Sequence, residues 1–394
     1  MDKPEQVMEG VHSFWDLVES ASDAEVDVEY DFDNHIFLYR FTGGTTGDPK
    51  CAMYTLNNGL AVTNQFYAQE DNFVKRGARF LHMAPISHAS ATAILPVFFK
   101  GGANITLNIA DLGNYCQAVQ DEKITMSFMV PTLLYWMVEA GLEKLYDLTS
   151  LTDILYGSAP MSPSKLKDLI EVFGNIFMQG YGATEAMPPA IMLRKADHLV
   201  NSEEEKVRLG SLGRPISSVE IKICDDQGKE VETGEIGEIW IRSEGVINGY
   251  YNNPEITASE FQGGYWKSGD MAYQDEKGYV FLVDRKKDMI ITGGFNVYCT
   301  EVEDALNSHP SIQQSVVVGT PHEEWGEAVH AEVILKEGES TKEDDLIAYC
   351  KEKIGNYKAP KTISFVTQFP VSAVGKVLRK DVRVKYWEKE TRKI

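Results

Sequence analysis

Apolar residues follow two periods along this chain. Short, densely apolar runs of four to six residues mark strands, and stretches with apolar positions three or four apart mark helices. Phe37–Phe41 reads as a strand that runs into a glycine-rich loop at Thr42. Asn57–Phe73 predicts a helix and Arg79–Ala84 a strand. Ser127–Val130 precedes a helix around Leu133–Val138, and Ile154–Tyr156 is a buried strand. Lys165–Phe173 predicts a helix, and Ile176–Gln179 a strand ending in Gly-Tyr-Gly-Ala-Thr-Glu. Alternation of this kind argues an α/β fold.

From about residue 210 the pattern changes. Glu220–Cys224, Gly237–Arg242 and Tyr279–Val283 read as strands, with turn signals at Asp226–Gly228 and Glu276–Gly278. After Lys287 it changes again: helix Glu301–Leu306, strands Ile312–Gly319 and Val329–Leu335, helix Lys342–Lys353, strand Thr362–Val366. The expected divisions are an acidic leader over 1–35, an α/β core over 36–209, a β-rich subdomain over 210–286 and a small α+β C-terminal domain over 287–394.

Composition narrows the classes. The 394 residues are 43% hydrophobic, too apolar for a disordered chain. The formal net charge is -21, which argues against nucleic acid and anionic membrane as partners. Residues 1–35 carry eleven acidic side chains and one basic one, Lys3, and read as a solvated, partly disordered leader. The five cysteines are scattered and form no metal-type cluster, and no apolar run reaches membrane-spanning length. The start shows no secretory signal, so a reduced, cytoplasmic setting is expected.

Four segments carry candidate chemistry. Thr42, Gly43, Gly44, Thr45, Thr46, Gly47 and Lys50 lie in one loop whose amides and hydroxyls suit phosphate oxygens, with a cation at its end. The Walker A spacing fails from both Gly43 and Gly44, and alone the loop reads equally as a plain turn. In Gln179–Glu185, Gly180 and Gly182 allow close approach, Tyr181 offers a flat face, Thr184 a hydroxyl, and Glu185 a hard carboxylate for Mg²⁺. Asp270 in Tyr265–Asp270 suits the two hydroxyls of a ribose, and Arg285 suits a ribose or phosphate. Each also reads as an ordinary turn or surface charge. Lys376 follows Gly375 on a C-terminal loop and alone reads as surface.

Taken in order, these segments resemble the adenylate-forming superfamily of acyl-CoA synthetases, peptide-synthetase adenylation domains and beetle luciferases, the AMP-dependent synthetase and ligase family. Thr42–Lys50 is similar to its Thr-Ser-Gly-Thr-Thr-Gly-x-Pro-Lys loop, Tyr-Gly-Ala-Thr-Glu to its Tyr-Gly-x-Thr-Glu, and Pro370–Arg379 to its P-x-x-x-x-G-K-x-x-R tail. The resemblance covers about residues 36–390. It implies a large α/β N-terminal domain with a β-rich subdomain, and a mobile C-terminal domain.

The resemblance also implies roles. Adenine would lie against Tyr181 and the backbone of Gly157, Ser158, Ala159 and Pro160; Thr184 would touch the α-phosphate and Glu185 would hold Mg²⁺. Asp270 and Arg285 would fix the ribose. Lys376 would bridge the acid and the α-phosphate, and Lys287 would be the pivot of the small domain. The reaction implied is ATP-dependent acyl-AMP formation with loss of pyrophosphate, then transfer to coenzyme A. Gly293 and Gly294 would border the pantetheine tunnel with Trp325, and Tyr357 and Lys361 would bind the nucleotide end of coenzyme A. His88, in Pro85–His88, would gate an apolar acyl pocket bordered by Ala186 and Met187, which favours a fatty or aryl acid.

The sequence departs from the family in two places. Gly43 stands where the family has Ser, and just 41 residues precede Thr42, so part of the usual first subdomain is expected to be missing. A trimmed chain, a split gene with a partner chain, and a homo-oligomer burying the exposed face are the open explanations. Two rival functions stay open with them: an impaired or split-gene subunit that binds nucleotide, and an acyl-AMP ligase that does not use coenzyme A.

Overall fold

The computed structural model describes residues 12–25, 27–42, 49–68, 74–107, 109, 111–371 and 377–387. Its centre is a seven-stranded sheet in the order Ala103–Thr106, Arg79–His82, Met126–Met129, Asp153–Gly157, Phe177–Tyr181, Ile191–Leu193, Arg214–Pro215. The first five strands are parallel and the last two antiparallel. Successive residues of a strand point to opposite faces. Ile154, Tyr156 and Phe177 therefore join a core with helices Leu112–Glu122, Pro131–Glu139 and Pro163–Phe173, through Tyr115, Leu134 and Leu166. Leu155 and Met178 face the other core, built with helix Leu56–Tyr67 and a second sheet. Fully burying each such side chain contributes about 1.5–3 kcal/mol.

The second sheet runs in the order Glu220–Cys224, Gly237–Arg242, Tyr265–Gln274, Phe261–Gln262, with Val280–Arg285 paired to Tyr265–Gln274. Its inward residues Ile239, Ile241, Trp266 and Val280 complete the core around Phe66. A third sheet holds Phe295–Val297, Ile290–Thr292, Gly326–Leu335 and Ile312–His322, with Thr362–Phe365 added in parallel. Helices Cys299–Asn307 and Glu343–Ile354 pack on one of its faces, and Arg379–Trp387 on the other.

Three differences from the sequence reading have local causes. The helix expected over Asn57–Phe73 is capped at both ends sooner, starting with a Thr55 capping box and stopping at Ala68. Residues 69–73 of that expectation lie outside the described residues. Among residues 12–35, expected to be unstructured in part, Phe14–Ser20 is a helix capped by Ser13 with no buried residue. The end of this segment is anchored, since Phe32 O and His35 O accept from Asn57 N and Leu56 N. Helix Leu112–Glu122 was missed, although Leu112, Tyr115, Cys116 and Val119 are helically spaced behind the Asp111 cap. Among the described residues, no helix is long and apolar enough to cross a membrane.

Candidate functional site

The candidate segments leave the carboxyl ends of the parallel strands. Pro85–His88 follows Arg79–His82, Ser158–Pro160 follows Asp153–Gly157, and Gly182–Glu185 follows Phe177–Tyr181. Strand order reverses between Arg79–His82 and Met126–Met129, and open α/β sheets bind ligands outside the carboxyl ends at such a reversal.

Glycine is required at the seam between two of these loops. Gly157 and Gly180 are directly paired across adjacent strands, and a β-carbon at Gly157 would lie 2.4 Å from Gly180 O. Ser158 then adopts φ +65, which turns the chain sharply away from the sheet. At Gly182 a β-carbon would stand 2.7 Å from Ala186 O, within a turn closed by Ala183 N donating to Ala186 O. Tyr54 Oη donates to Thr184 O and holds that turn from the strand Cys51–Thr55.

Tyr181, Asp270 and Arg285 come together. Tyr181 Oη donates to Asp270 Oδ2 at 2.7 Å, and Arg285 Nε lies 3.2 Å from Asp270 Oδ1. Each oxygen keeps a lone pair for a further donor. Burial, then the neighbouring Asp270 charge, raises the Tyr181 phenol well above its usual range, so it stays a donor. Asp270 and Arg285 are also register partners of one strand pair, and Gly269 takes φ +71 beside them. Lys287 lies in the turn between this strand and Ile290–Thr292.

Lys50 and Glu185 also meet, with two residues that the sequence reading did not select. Tyr250 Oη lies 2.7 Å from Glu185 Oε1 and 2.5 Å from Glu260 Oε2. Lys50 Nζ is 2.6 Å from Glu260 and 3.9 Å from Glu185. Burial raises the Glu185 pKa, opposed by the Tyr250 hydrogen bond and the Lys50 charge. A hard carboxylate beside an ammonium fits a place where Mg²⁺ joins an anionic ligand. Thr42 Oγ1 is buried with no hydrogen-bond partner among the described residues, and Thr42 N donates to Lys50 O, so the ends of the loop meet with a polar group to spare. Among the described residues no three His, Cys, Asp or Glu side chains cluster as a metal cage.

The residues assigned to coenzyme A also gather. Gly293 and Gly294, at φ +57 and +84, form the two-residue turn between paired Thr292 and Phe295. Gly293 N donates to Trp325 O, Trp325 stacks on His322 at 4.1 Å, and Lys361 Nζ stands 5.7 Å from the Trp325 ring centre. Tyr357 packs on Phe295 at 5.3 Å. Ala186 and Met187 are buried in the core cluster that Tyr181, Ala84 and Ala89 flank, while His88 is exposed and bonded to Ser87. Gly43, Gly44, Thr45, Thr46, Gly47 and Lys376 lie outside the described residues. Tyr54, Tyr250 and Glu260 had no local signal, because their partners are remote in sequence.

Comparison with known proteins gives the family and its relatives. The family described as AMP-binding enzyme matches over residues 5–251, and the AMP-binding enzyme C-terminal domain over 301–376. A medium/long-chain-fatty-acid–CoA ligase of Mycobacterium tuberculosis is 37% identical over 355 residues, 88% of this chain and 61% of that protein. The chain thus spans less than two thirds of that relative's length. A feruloyl-CoA synthase of an Amycolatopsis species is 34% identical over 371 residues, 94% of this chain and 73% of the relative. The ATP-bound crystal structure of MatB from Rhodopseudomonas palustris aligns with a TM-score of 0.86 at 26% identity, covering 96% of this chain and 73% of that one.

Proposed function

The chain belongs to the AMP-binding enzyme family, and on that footing we propose that it activates a carboxylic acid with ATP and passes the acyl group to coenzyme A. The observation that carries the reading is the Tyr181–Asp270–Arg285 triangle standing with Glu185 and Lys50 at the carboxyl ends of the sheet. Asp270, oriented from both sides, accepts the ribose hydroxyls, and the Tyr181 ring faces the base beside Gly157, Ser158, Ala159 and Pro160. Thr184 and Lys50 meet phosphate oxygens. Mg²⁺, when bound, would screen phosphate charge, and Glu185 would hold it.

In the first half-reaction an acid oxygen bonds to the α-phosphorus, and the bond to the β-phosphate oxygen breaks, releasing pyrophosphate. Lys376 supplies positive charge where the acid meets the α-phosphate. In the second, the coenzyme A thiolate bonds to the acyl carbon and AMP departs with the bonding electrons. Gly293, Gly294, Trp325, Tyr357 and Lys361 serve the thiol donor, and rotation about Lys287 exchanges the two faces. The domain divisions at 209/210 and 286/287 follow from the same reading. The apolar setting of Ala186 and Met187, and relatives named for fatty and ferulic acids, favour a fatty or aryl acid.

The test is pyrophosphate release over a panel of acids, with and without coenzyme A. Acid-dependent release, lost about a hundredfold or more in Lys376→Ala, is expected. Release that no acid stimulates would sink the proposal.

A second reading, in which the chain works within an assembly, is favoured by one observation. Phe37, Tyr39 and Phe41 are 43%, 51% and 68% exposed along one face of strand Ile36–Phe41. Light scattering of the purified protein tests it: a monomer that is fully active excludes the assembly.

A further inference from the structure

The strongest unused observation is the shortage of protons where Glu185, Tyr250 and Glu260 meet. The Tyr250 hydroxyl touches one oxygen of each carboxylate, yet a phenol has one proton and donates to one of them at a time. Lys50 resolves the conflict. Its ammonium lies 2.6 Å from Glu260 Oε1, 3.2 Å from Tyr250 Oη and 3.9 Å from Glu185 Oε1, and 4.5 Å from the Tyr250 ring centre.

Glu260 is placed against the local field. It is the last residue of helix Pro254–Glu260, where the carbonyl ends repel a carboxylate. A cation beside it offsets that repulsion. Lys50, meanwhile, closes the Thr42–Lys50 loop, its backbone oxygen accepting from Thr42 N. Its ammonium, on a flexible four-carbon stem, serves the carboxylates or an anion in the loop, but not both at full strength.

We propose that Glu260 is a positioning residue that parks the Lys50 ammonium on the two carboxylates and yields it when a triphosphate arrives with its divalent cation. The inference rests on the nucleotide reading above and adds a coupling to it. A cation at Glu185 restores the charge that Lys50 takes to the phosphates, so lysine and metal are exchange partners. Metal-free ATP is then a poor ligand, because drawing Lys50 away leaves the carboxylates facing each other.

Calorimetric titration of the full chain with ATP, in EDTA and in excess Mg²⁺, tests this. In Glu260→Gln, metal-free ATP should bind about tenfold tighter, a change of about 1.4 kcal/mol, while the Mg²⁺ complex changes less than about twofold. Glu260→Asp should restore the preference for the Mg²⁺ complex, and Lys50→Met should erase the effect of Glu260→Gln in the double variant. An unchanged ratio in Glu260→Gln, a parallel loss of both affinities, or an effect that survives in Lys50→Met overturns the proposal. If the unsubstituted protein binds ATP in neither buffer, the nucleotide reading falls and this inference with it. Binding without the coupling removes the inference alone.

Discussion

Arg379 Nη1 lies 3.5 Å from Asp284 Oδ1, joining the start of the closing helix to the strand that carries Arg285. The same guanidinium reaches Asp288 at 3.2 Å and both oxygens of Glu303 at 2.8 Å. Asp284 also accepts from Cys299 N. Residues on either side of the turn at Lys287 are thus held by one planar cation, whose fork suits several carboxylates at once.

Removing that cation should be costly. Arg379→Met leaves Asp284 and Glu303 buried without their partner, and a loss of about 3 kcal/mol is expected, read as a lower melting temperature. Burial already raises the pKa of both acids. Without Arg379 they protonate more readily as pH falls, so the deficit should shrink between pH 8 and pH 5. A deficit constant with pH would contradict the assignment.

Asp270→Asn keeps the shape of the ribose position but removes the charge that orients Arg285. ATP affinity should fall about tenfold or more, with a small change in melting temperature, since Arg285 is 45% exposed in its side chain. Equilibrium titration with ATP beside a thermal melt separates the two effects.

The two glycine positions predict different failures. Gly157→Ala forces a β-carbon against Gly180 O inside the sheet and should destabilise the fold by several kcal/mol, so soluble yield falls. Gly182→Ala crowds a turn outside the sheet and should leave a cooperative melt but weaken ATP binding about tenfold. If Gly157→Ala melts like the parent, the close strand approach is wrong.

His198 predicts an acid limit. It is buried, with Nδ1 at 2.8 Å from Arg194 O and Nε2 at 2.9 Å from Tyr156 Oη, and burial lowers its pKa to about 4. The folded state keeps the ring neutral while the unfolded chain protonates it near pH 6.5. Its contribution is therefore full above pH 6.5 and lost as pH falls toward 4, at most about 3 kcal/mol. Stability of His198→Gln should vary less across that window, as followed by denaturant unfolding at several pH values.

How far the sequence could be read depended on the range of the interaction. Gly237–Arg242 was placed to the residue, because a run of strand formers ended at a turn needs no knowledge of partners. Tyr265–Asp270 reads as a motif rather than as the first part of the long strand Tyr265–Gln274, in which Gly269 at φ +71 interrupts the extended backbone. Tyr181, Asp270 and Arg285, which the sequence assigned to the nucleotide through motif order, are brought together by the fold. Tyr54 and Tyr250 were not, because each acts on Thr184 or Glu185 across a gap that the fold alone closes.

The backbone contact between Gly157 and Gly180 has a consequence for how this scaffold can diversify. Two ligand loops spring from one seam too narrow for any side chain, so neither can be resized there without prising the sheet apart. On the proposed reading, changes of acid preference would fall elsewhere, to His88 and its neighbours on one rim and to Met187 on the other. If that reading holds, the nucleotide loops would stay fixed at this seam while the acid pocket is free to vary.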